Sequence, residues 1–403
     1  MTHDMLHVME WHNGDKVWSP FSDAEMTRRQ SRARDWMARN DVDAALFTSH
    51  HCINYYSGWL YCDFGRKSGM VLTQTTSTTI SAGIDGGHGW RRSFGGNVTY
   101  TDWRRDNYWR AVRQLTPGVK RLGLEFDQIS LDFRRLLEAA LPGVEMVDIS
   151  QAAMEMRTIK SAEEIALIRK GAAICDLGAA AAVACIRDGV AEYEVAMAST
   201  QAMTHAIAAA FPYVELMDSW TWFQSGINTD GAHNPVTNKK LQRGEILSLN
   251  CFPMIFGYLA ALQRTLFFGH SDATSLEIWQ KNAAVHKRGR ALIRPGARCN
   301  EIAAELNDMY RGWGLLKHRS YGYGHSYGVL SHYYGREATI ELREDVVTEL
   351  VPGMVISLEP MVMLPQGKPG AGGYREHDIL IVTESGAETV SAFPIGPEHN
   401  IVG

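Results

Sequence analysis

The feature that most constrains this chain is a change of pattern at one short string. MRTIKSAEE sets Ser161 three residues before Glu164, a capping box in which the serine oxygen accepts from the Glu164 N–H and the glutamate carboxylate accepts from the Ser161 N–H. It opens an apolar-periodic run that reaches about Gly189. Ahead of it, helical and strand patterns alternate. A charged amphipathic helix is expected over 23–40, short apolar strands in DAALFTS (43–49) and GMVLTQT (69–75), and a helix again at RRLLEAAL (134–141). That alternation predicts a small α/β domain. Beyond the box the elements fall in blocks: a helix over about 192–210, a strand pair over 245–268, helices over about 273–293 and 298–313, and a strand-rich end. Helices covering one face of an antiparallel sheet produce such blocks, so an α+β domain is expected there. The 403 residues are therefore read as two domains, 1–160 and 161–403.

Charge and cysteine usage narrow the function classes. A formal net charge of -5, with only short basic pairs such as Arg91-Arg92 and Arg104-Arg105, does not support a nucleic-acid surface. The six cysteines contain no CxxC and are widely spaced, which points to free thiols in a reducing compartment. The first residues lack the basic start and apolar core of a secretory signal, and the longest apolar stretch, 177–186, is too short to span a bilayer. A cytoplasmic location is expected. No Ser/His/Asp order suggests nucleophilic catalysis, and the GxG fragments at 322–328 do not open a helix after a strand, so no dinucleotide site is expected. Trp220, Trp222 and Phe223 are read as core aromatics, and Cys251 and Cys299 as buried inert thiols.

Three strings near the C-terminus carry chemistry-bearing residues: GYGHSYG with His325, ISLEPM with Glu359, and YREHDIL with Glu376 and His377. This order of His, Glu, Glu resembles the metal-ligand order of two-domain metalloaminopeptidases, in which a strand hairpin adds two aspartates. The hairpin here reads LSLNCFPMIFGYLAALQRTLFF, with Asn250 and Ala261 at those positions. The hard oxygen ligands that a divalent pair needs are absent, so no metal and no cofactor is expected. The Gly-rich piece PQGKPGAGGYRE (365–376) is compatible with a loop close to a ligand or with a long turn.

Longer strings make the resemblance specific. ELMDSWTWFQSGINTDGAHNPVT, GYGHSYGVLSHYYGREA, LEPMVMLP and GAGGYREHDILIV, with HHCINYYSGWLYCDFGRK and YTDWRRDNY in the first domain, are similar to the creatinase branch of the pita-bread peptidase family. The resemblance covers essentially the whole chain. It implies an α/β N-terminal domain and an α+β pita-bread catalytic domain, a homodimer with shared active sites, and metal-independent hydrolysis of creatine to sarcosine and urea.

The residues can be weighed against that chemistry. Creatine pairs a carboxylate with a planar guanidinium, so its site needs a cation at one end and anionic or carbonyl acceptors at the other. Arg336 in YYGREA is the first choice for the carboxylate, through a bidentate fork. By the resemblance, Arg66 in DFGRK reaches the same group from the partner subunit, with Phe64 beside the substrate. Hydrolysis requires water to lose a proton and the leaving nitrogen to gain one, and a residue titrating near neutrality can serve both. The resemblance assigns that role to His233 in DGAHNP, and the guanidinium clamp to Glu359. Glu376, His325 and His377 are expected to line the pocket, the histidines either touching substrate or orienting the carboxylates.

Two positions depart from the family. Gln263 stands where creatinases generally carry a second substrate-binding glutamate, and Leu259 where a tyrosine is expected. Gln263 lies two residues after Ala261 and so on the same strand face. A neutral amide weakens the hold on a guanidinium. Three functions stay open: a creatine hydrolase, a hydrolase for a related guanidino acid, and a guanidino-acid binding protein with weakened catalysis. A metallopeptidase is disfavoured by Asn250 and Ala261.

Overall fold

The computed structural model describes residues 6–332, 335 and 337–403. The chain divides between Arg157 and Thr158 into two compact units.

In the first unit a seven-stranded sheet is formed by β1 (Val8–Met9), β2 (Ala44–Phe47), β3 (Gly69–Thr73), β4 (Ser77–Ala82), β5 (Gly96–Tyr100), β6 (Arg121–Leu124) and β7 (Glu145–Asp148), in the order β1-β5-β4-β3-β2-β6-β7 among the described residues. The parallel pairs β2–β6, β6–β7 and β4–β5 follow from helical crossovers, and β2–β3 and β3–β4 are antiparallel, the second joined by a short turn. Leu46, Val71, Ile80, Val98, Trp109, Leu122 and Leu137 form part of its buried core. Helix Asp23–Arg39 matches the amphipathic run in the sequence and is capped by Ser22. Helix His50–Ser57 is capped by Ser49, whose Oγ accepts from the Cys52 N–H at 3.1 Å, and Glu125 holds the cap residue by taking the Thr48 and Ser49 N–H groups and the Ser49 hydroxyl.

The second unit begins with the expected capping box, Ser161 and Glu164 bonding each other's N–H groups at 3.2 and 2.9 Å. The helix it opens, Ala162–Cys185, stops four residues short of Gly189 because Ile186 already turns into extended backbone. Helices Glu192–Ala210, Ala273–Leu292 and Cys299–Gly312 follow.

The strands of this unit are β8 (Trp220–Ser225), β9 (Ile246–Phe252), the short pair β10 (Met254–Ile255) and β11 (Tyr258–Leu259), β12 (Leu262–Phe268), β13 (Val355–Leu358), β14 (Met361–Leu364), β15 (Gly372–Val382), β16 (Ala387–Thr389) and β17 (Ile401–Val402). The main path runs β13-β15-β12-β9-β8, with β14 and β16 also on β15 and β17 on β12. All pairs but β12–β17 are antiparallel, as the α+β reading requires. Buried Trp279, Ile302, Leu306, Tyr310, Leu358, Tyr374 and Leu380 belong to one core that joins the two later helices to β13 and β15.

The Gly-rich segment resolves toward packing rather than ligand contact. A Cβ on Gly373 would sit 1.9 Å from the Thr229 carbonyl, and the Gly373 N–H donates to Thr229 Oγ1 at 3.0 Å. The glycine lets β15 lie directly against the Gly226–Asp230 turn. None of residues 365–376 lines the cavity described next.

Candidate active site

Register places the site. Trp222 on β8 pairs with Asn250 on β9, Asn250 with Gln263 on β12, and Gln263 with His377 on β15, so four side chains stand in one row on one face of the sheet. The next row on β12 and β15 is Arg264 with Glu376, which the pleat sends to the opposite face. Trp222, Gln263 and His377 line a cavity of about 350 Å³, together with Asp230, His233, Phe252, Tyr321, His325, His332, Glu359, Met361 and Met363. The cavity is built from the second unit.

Glu359, at the bend between β13 and β14, sits between two imidazoles. Its Oε1 is 3.3 Å from His325 Nε2, and its Oε2 is 3.5 Å from His377 Nδ1. Ser357 Oγ donates to Glu359 Oε1 at 3.2 Å and accepts the His325 N–H at 2.8 Å, which locks the two residues together. His325 Nδ1 lies 2.8 Å from the Ser326 carbonyl. A carbonyl only accepts, so that nitrogen carries a proton. His377 is fully buried, and burial lowers its pKa to about 3, so it is neutral at physiological pH. Neither of its ring nitrogens has a hydrogen-bond partner among the described residues, and the same holds for Gln263 Oε1. Gln263 and His377 line the cavity, so a molecule that enters it can supply partners to these buried polar atoms.

The mouth carries the other groups. His233 is exposed and its ring lies 5.2 Å from that of Trp222. Asp230, three residues earlier, is held by Asn234 Nδ2 at 2.7 Å. His332 Nε2 is 3.1 Å from Tyr327 Oη, with its ring edge-on to Phe252. Beside the cavity, buried Arg375 donates to the Thr229 carbonyl at 2.6 Å and to Ser248 Oγ at 3.2 Å. Burial lowers its pKa to about 10, opposed by Glu359 and Asp230, so it remains a cation at neutral pH.

Among the residues expected from sequence, His233, Gln263, His325, Glu359 and His377 thus meet in one cavity. Glu376 does not. Its Oε1 accepts from Trp279 Nε1 at 2.8 Å on the helix-covered face, and burial raises its carboxyl to about 8. The pleat that turns His377 inward necessarily turns its neighbour outward. Phe64 and Arg66 belong to the first unit, where Phe64 is 84% exposed and Arg66 pairs with Asp102 at 3.1 Å. Arg336 lies outside the described residues. Leu259 is buried, gives its N–H to the Gly328 carbonyl, and is not among the residues lining the cavity.

Sequence reasoning missed several lining residues. Trp222 was read as core, but on β8 it alternates with buried Phe223 and faces the cavity. Met361 and Met363 have the same period-two signal after Glu359, and Asp230 shares a turn with His233. His332 has no sequence signal of this kind. The thiols match expectation, since burial pushes Cys251 and Cys299 up to about 12.

The donor set does not fit a divalent metal pair. Asn250 Nδ2 donates to the Trp222 carbonyl, Ala261 offers no ligand atom, and Glu376 faces away. Among the described residues, the one cluster of three candidate ligands is His51, Cys52 and Glu125 in the first unit. There Glu125 accepts from the Ser49 N–H, and the Arg157 guanidinium donates to Cys52 Sγ at 3.0 Å.

Comparisons with known proteins agree with this architecture. Residues 166–384 match the model for metallopeptidase family M24, and residues 29–159 that for the creatinase/prolidase N-terminal domain. The chain is 58% identical to a creatinase of Bacillus sp. (strain B-0618) over 393 residues, 96% of each chain. It is 23% identical to the Xaa-Pro dipeptidase of Pyrococcus horikoshii, over 91% of this chain and 97% of that one. Among solved structures, it superposes on the Pyrococcus horikoshii OT3 prolidase with TM-score 0.78 at 22% identity, covering 91% of this chain and 99% of that chain. The X-Pro aminopeptidase of Thermotoga maritima MSB8 gives TM-score 0.80 at 18% identity, covering 93% and 99%. An N-terminal domain of the creatinase/prolidase type, an M24 domain and near full-length identity to a creatinase together show that the chain belongs to the creatinase branch of the pita-bread M24 family.

Proposed function

We propose that this protein hydrolyses creatine to sarcosine and urea without a metal ion. The observation that carries the reading is Glu359 held between His325 and His377, in one cavity with the unpartnered side-chain carbonyl of Gln263. A carboxylate takes two N–H bonds from a planar guanidinium, and the Gln263 carbonyl supplies a third acceptor. The 58% identity to a creatinase supports the same substrate.

In this reading His233 takes a proton from water as the oxygen attacks the guanidinium carbon. The resulting tetrahedral centre collapses with cleavage of the bond to the N-methyl nitrogen. His233 returns its proton to that nitrogen, giving sarcosine, and urea leaves from the Glu359 side. Glu376 takes no part. Arg336 holds the substrate carboxylate, joined by Arg66 with Phe64 from the second subunit of a homodimer. Six free cysteines fit a reducing, cytoplasmic setting.

Gln263 favours a second reading, a guanidino-acid binding protein of low turnover. A charge-assisted bond is about twice as strong as a neutral one, so the amide forfeits about 1–3 kcal/mol against a glutamate. Urea release from creatine is therefore expected to survive chelator, and Gln263→Glu to raise kcat/KM about tenfold or more. Creatine binding with no urea from either form selects the binding role. Loss of activity with chelator, and its return with metal, refutes the metal-free reading.

The shared site has its own test. An Arg66→Ala subunit mixed with a His233→Ala subunit forms a heterodimer in which one site has both residues, so activity is expected to reappear on subunit exchange. No recovery after exchange is verified by mass would remove Arg66 from the site.

A further inference from the structure

We infer that Asn250 and Gln224 form an amide relay that positions His233, and that the asparagine at 250 is required for it. The inference rests on the reading of His233 as the proton-transferring residue. Gln224 and Asn250 are both fully buried. Gln224 Nε2 donates to the Asn234 carbonyl at 2.7 Å and lies 3.4 Å from the Ala232 carbonyl, so it reaches the residues on either side of His233. A side chain that gives both its protons to these carbonyls fixes the main chain on either side of the imidazole. Its Oε1 then has to face Asn250, whose Nδ2 lies 3.3 Å from it, 3.0 Å from the Trp222 carbonyl, 3.2 Å from Ser248 Oγ and 3.4 Å from the Ser248 carbonyl.

Asn250 therefore decides which way the Gln224 amide points. An aspartate there presents only acceptors. Facing Gln224 Oε1 and the Trp222 carbonyl, it would place oxygen against oxygen, and the Gln224 amide would turn to offer Nε2 to the carboxylate. The Ala232 and Asn234 carbonyls would then lose their donor, and the 231–234 segment its anchor. The other anchors of the segment, Asn234 Nδ2 to the Asn228 carbonyl at 3.0 Å and to Asp230 Oδ1 at 2.7 Å, both run through the Asn234 side chain and leave the Ala232 carbonyl without a donor. The same substitution that removes an aspartate ligand from the hairpin thus supplies the donor that sets the histidine.

Asn250→Asp is isosteric, and Gln224→Met keeps volume while removing both donors, so each tests the relay. With creatine as substrate, kcat is expected to fall about tenfold or more in each variant while KM stays within about threefold, since misplacement by about 1 Å costs up to about a hundredfold. The double variant is expected to lose no more than Gln224→Met alone, because both changes cut one chain of bonds. A readout free of turnover comes from the His233 ring protons, assigned by their loss in His233→Ala. Their ring-current shift from Trp222 is expected to shrink in both variants.

Unchanged kcat and unchanged His233 shifts in folded Asn250→Asp overturn the relay, as do losses that simply add. If Gln224→Met does not fold, Asn250→Asp alone decides. If the parent is silent on creatine while the His233 shift still moves in Asn250→Asp, the proposed function falls and the relay stands.

Discussion

Substituting His233 with Ala is expected to leave the fold intact and lower creatine turnover by about 10²–10⁴-fold, the range over which a positioned general acid–base acts. The geometry separates this residue from the other cavity histidines. His377 is held neutral by burial, its pKa lowered to about 3, and cannot accept a proton in the neutral range. His325 commits Nδ1 to the Ser326 carbonyl and turns Nε2 to Glu359, which makes it a partner of the clamp. His332 is tied to the Tyr327 hydroxyl. His233 alone among them is exposed, with its ring 5.2 Å from that of Trp222. Because water gives up a proton and the leaving nitrogen takes one, a single residue lost here affects both steps. The check is steady-state urea release alongside a thermal midpoint: an intact midpoint with more than a few per cent of parental turnover would show that another group moves the proton.

The sequence carried the fold further than the site. Capping at Ser161, the strand pair and the two later helices lie within a few residues of where periodicity placed them, because local signals of that kind do not depend on the rest of the molecule. The site depends on register. Glu376 and His377 are adjacent in sequence, and only the pairing of Gln263 with His377 shows which of them enters the cavity. Trp222 and Phe223 pose the same problem on β8, where one faces the cavity and the other the core. Gly373 is another case, since the surface that demands a glycine is a distant carbonyl, Thr229, and not the ligand. Motif strings bring the right residues to one place; the sheet assigns them to a face.

The buried face beneath the site yields the largest stability effect. Arg264 is 1% exposed and donates to Asp378 Oδ1 at 2.7 Å, to the Phe393 carbonyl at 2.6 Å, and through Nη1 to the carbonyls of Gln263 and His377, both at 2.8 Å. One guanidinium thus neutralises a buried carboxylate and fastens the two cross-strand residues of the cavity. Burial alone would raise the Asp378 carboxyl, but Arg264, the His286 ring once it is protonated, and the Ser391 hydroxyl outweigh it and hold it at about 2. His286, 3.3 Å from Asp378, is lowered by burial to about 4 and adds no charge at neutral pH. Arg264→Met is therefore expected to cost about 3–5 kcal/mol at pH 7, the penalty of leaving a buried charge alone. Asp378 is ionised below its ordinary value of 3.8, so its contribution is complete above that pH and is lost as pH falls through 2. The gap between parent and variant should accordingly narrow on acidification in two stages: above pH 3.8, where burial raises the variant's lone carboxyl and protonation relieves it, and then down through 2, where the parent loses its ion pair. Removing both charges in Arg264→Met/Asp378→Leu should recover most of the loss, since an apolar pair of similar volume replaces a buried ion pair at little cost. Urea unfolding with hydrogen exchange read on the β12 and β15 amides measures all three forms. A single-variant loss below about 1 kcal/mol would show that neither the charge nor the carbonyl bonds of Arg264 hold this face, and a double variant no better than the single would show that the carbonyl bonds and not the charge do.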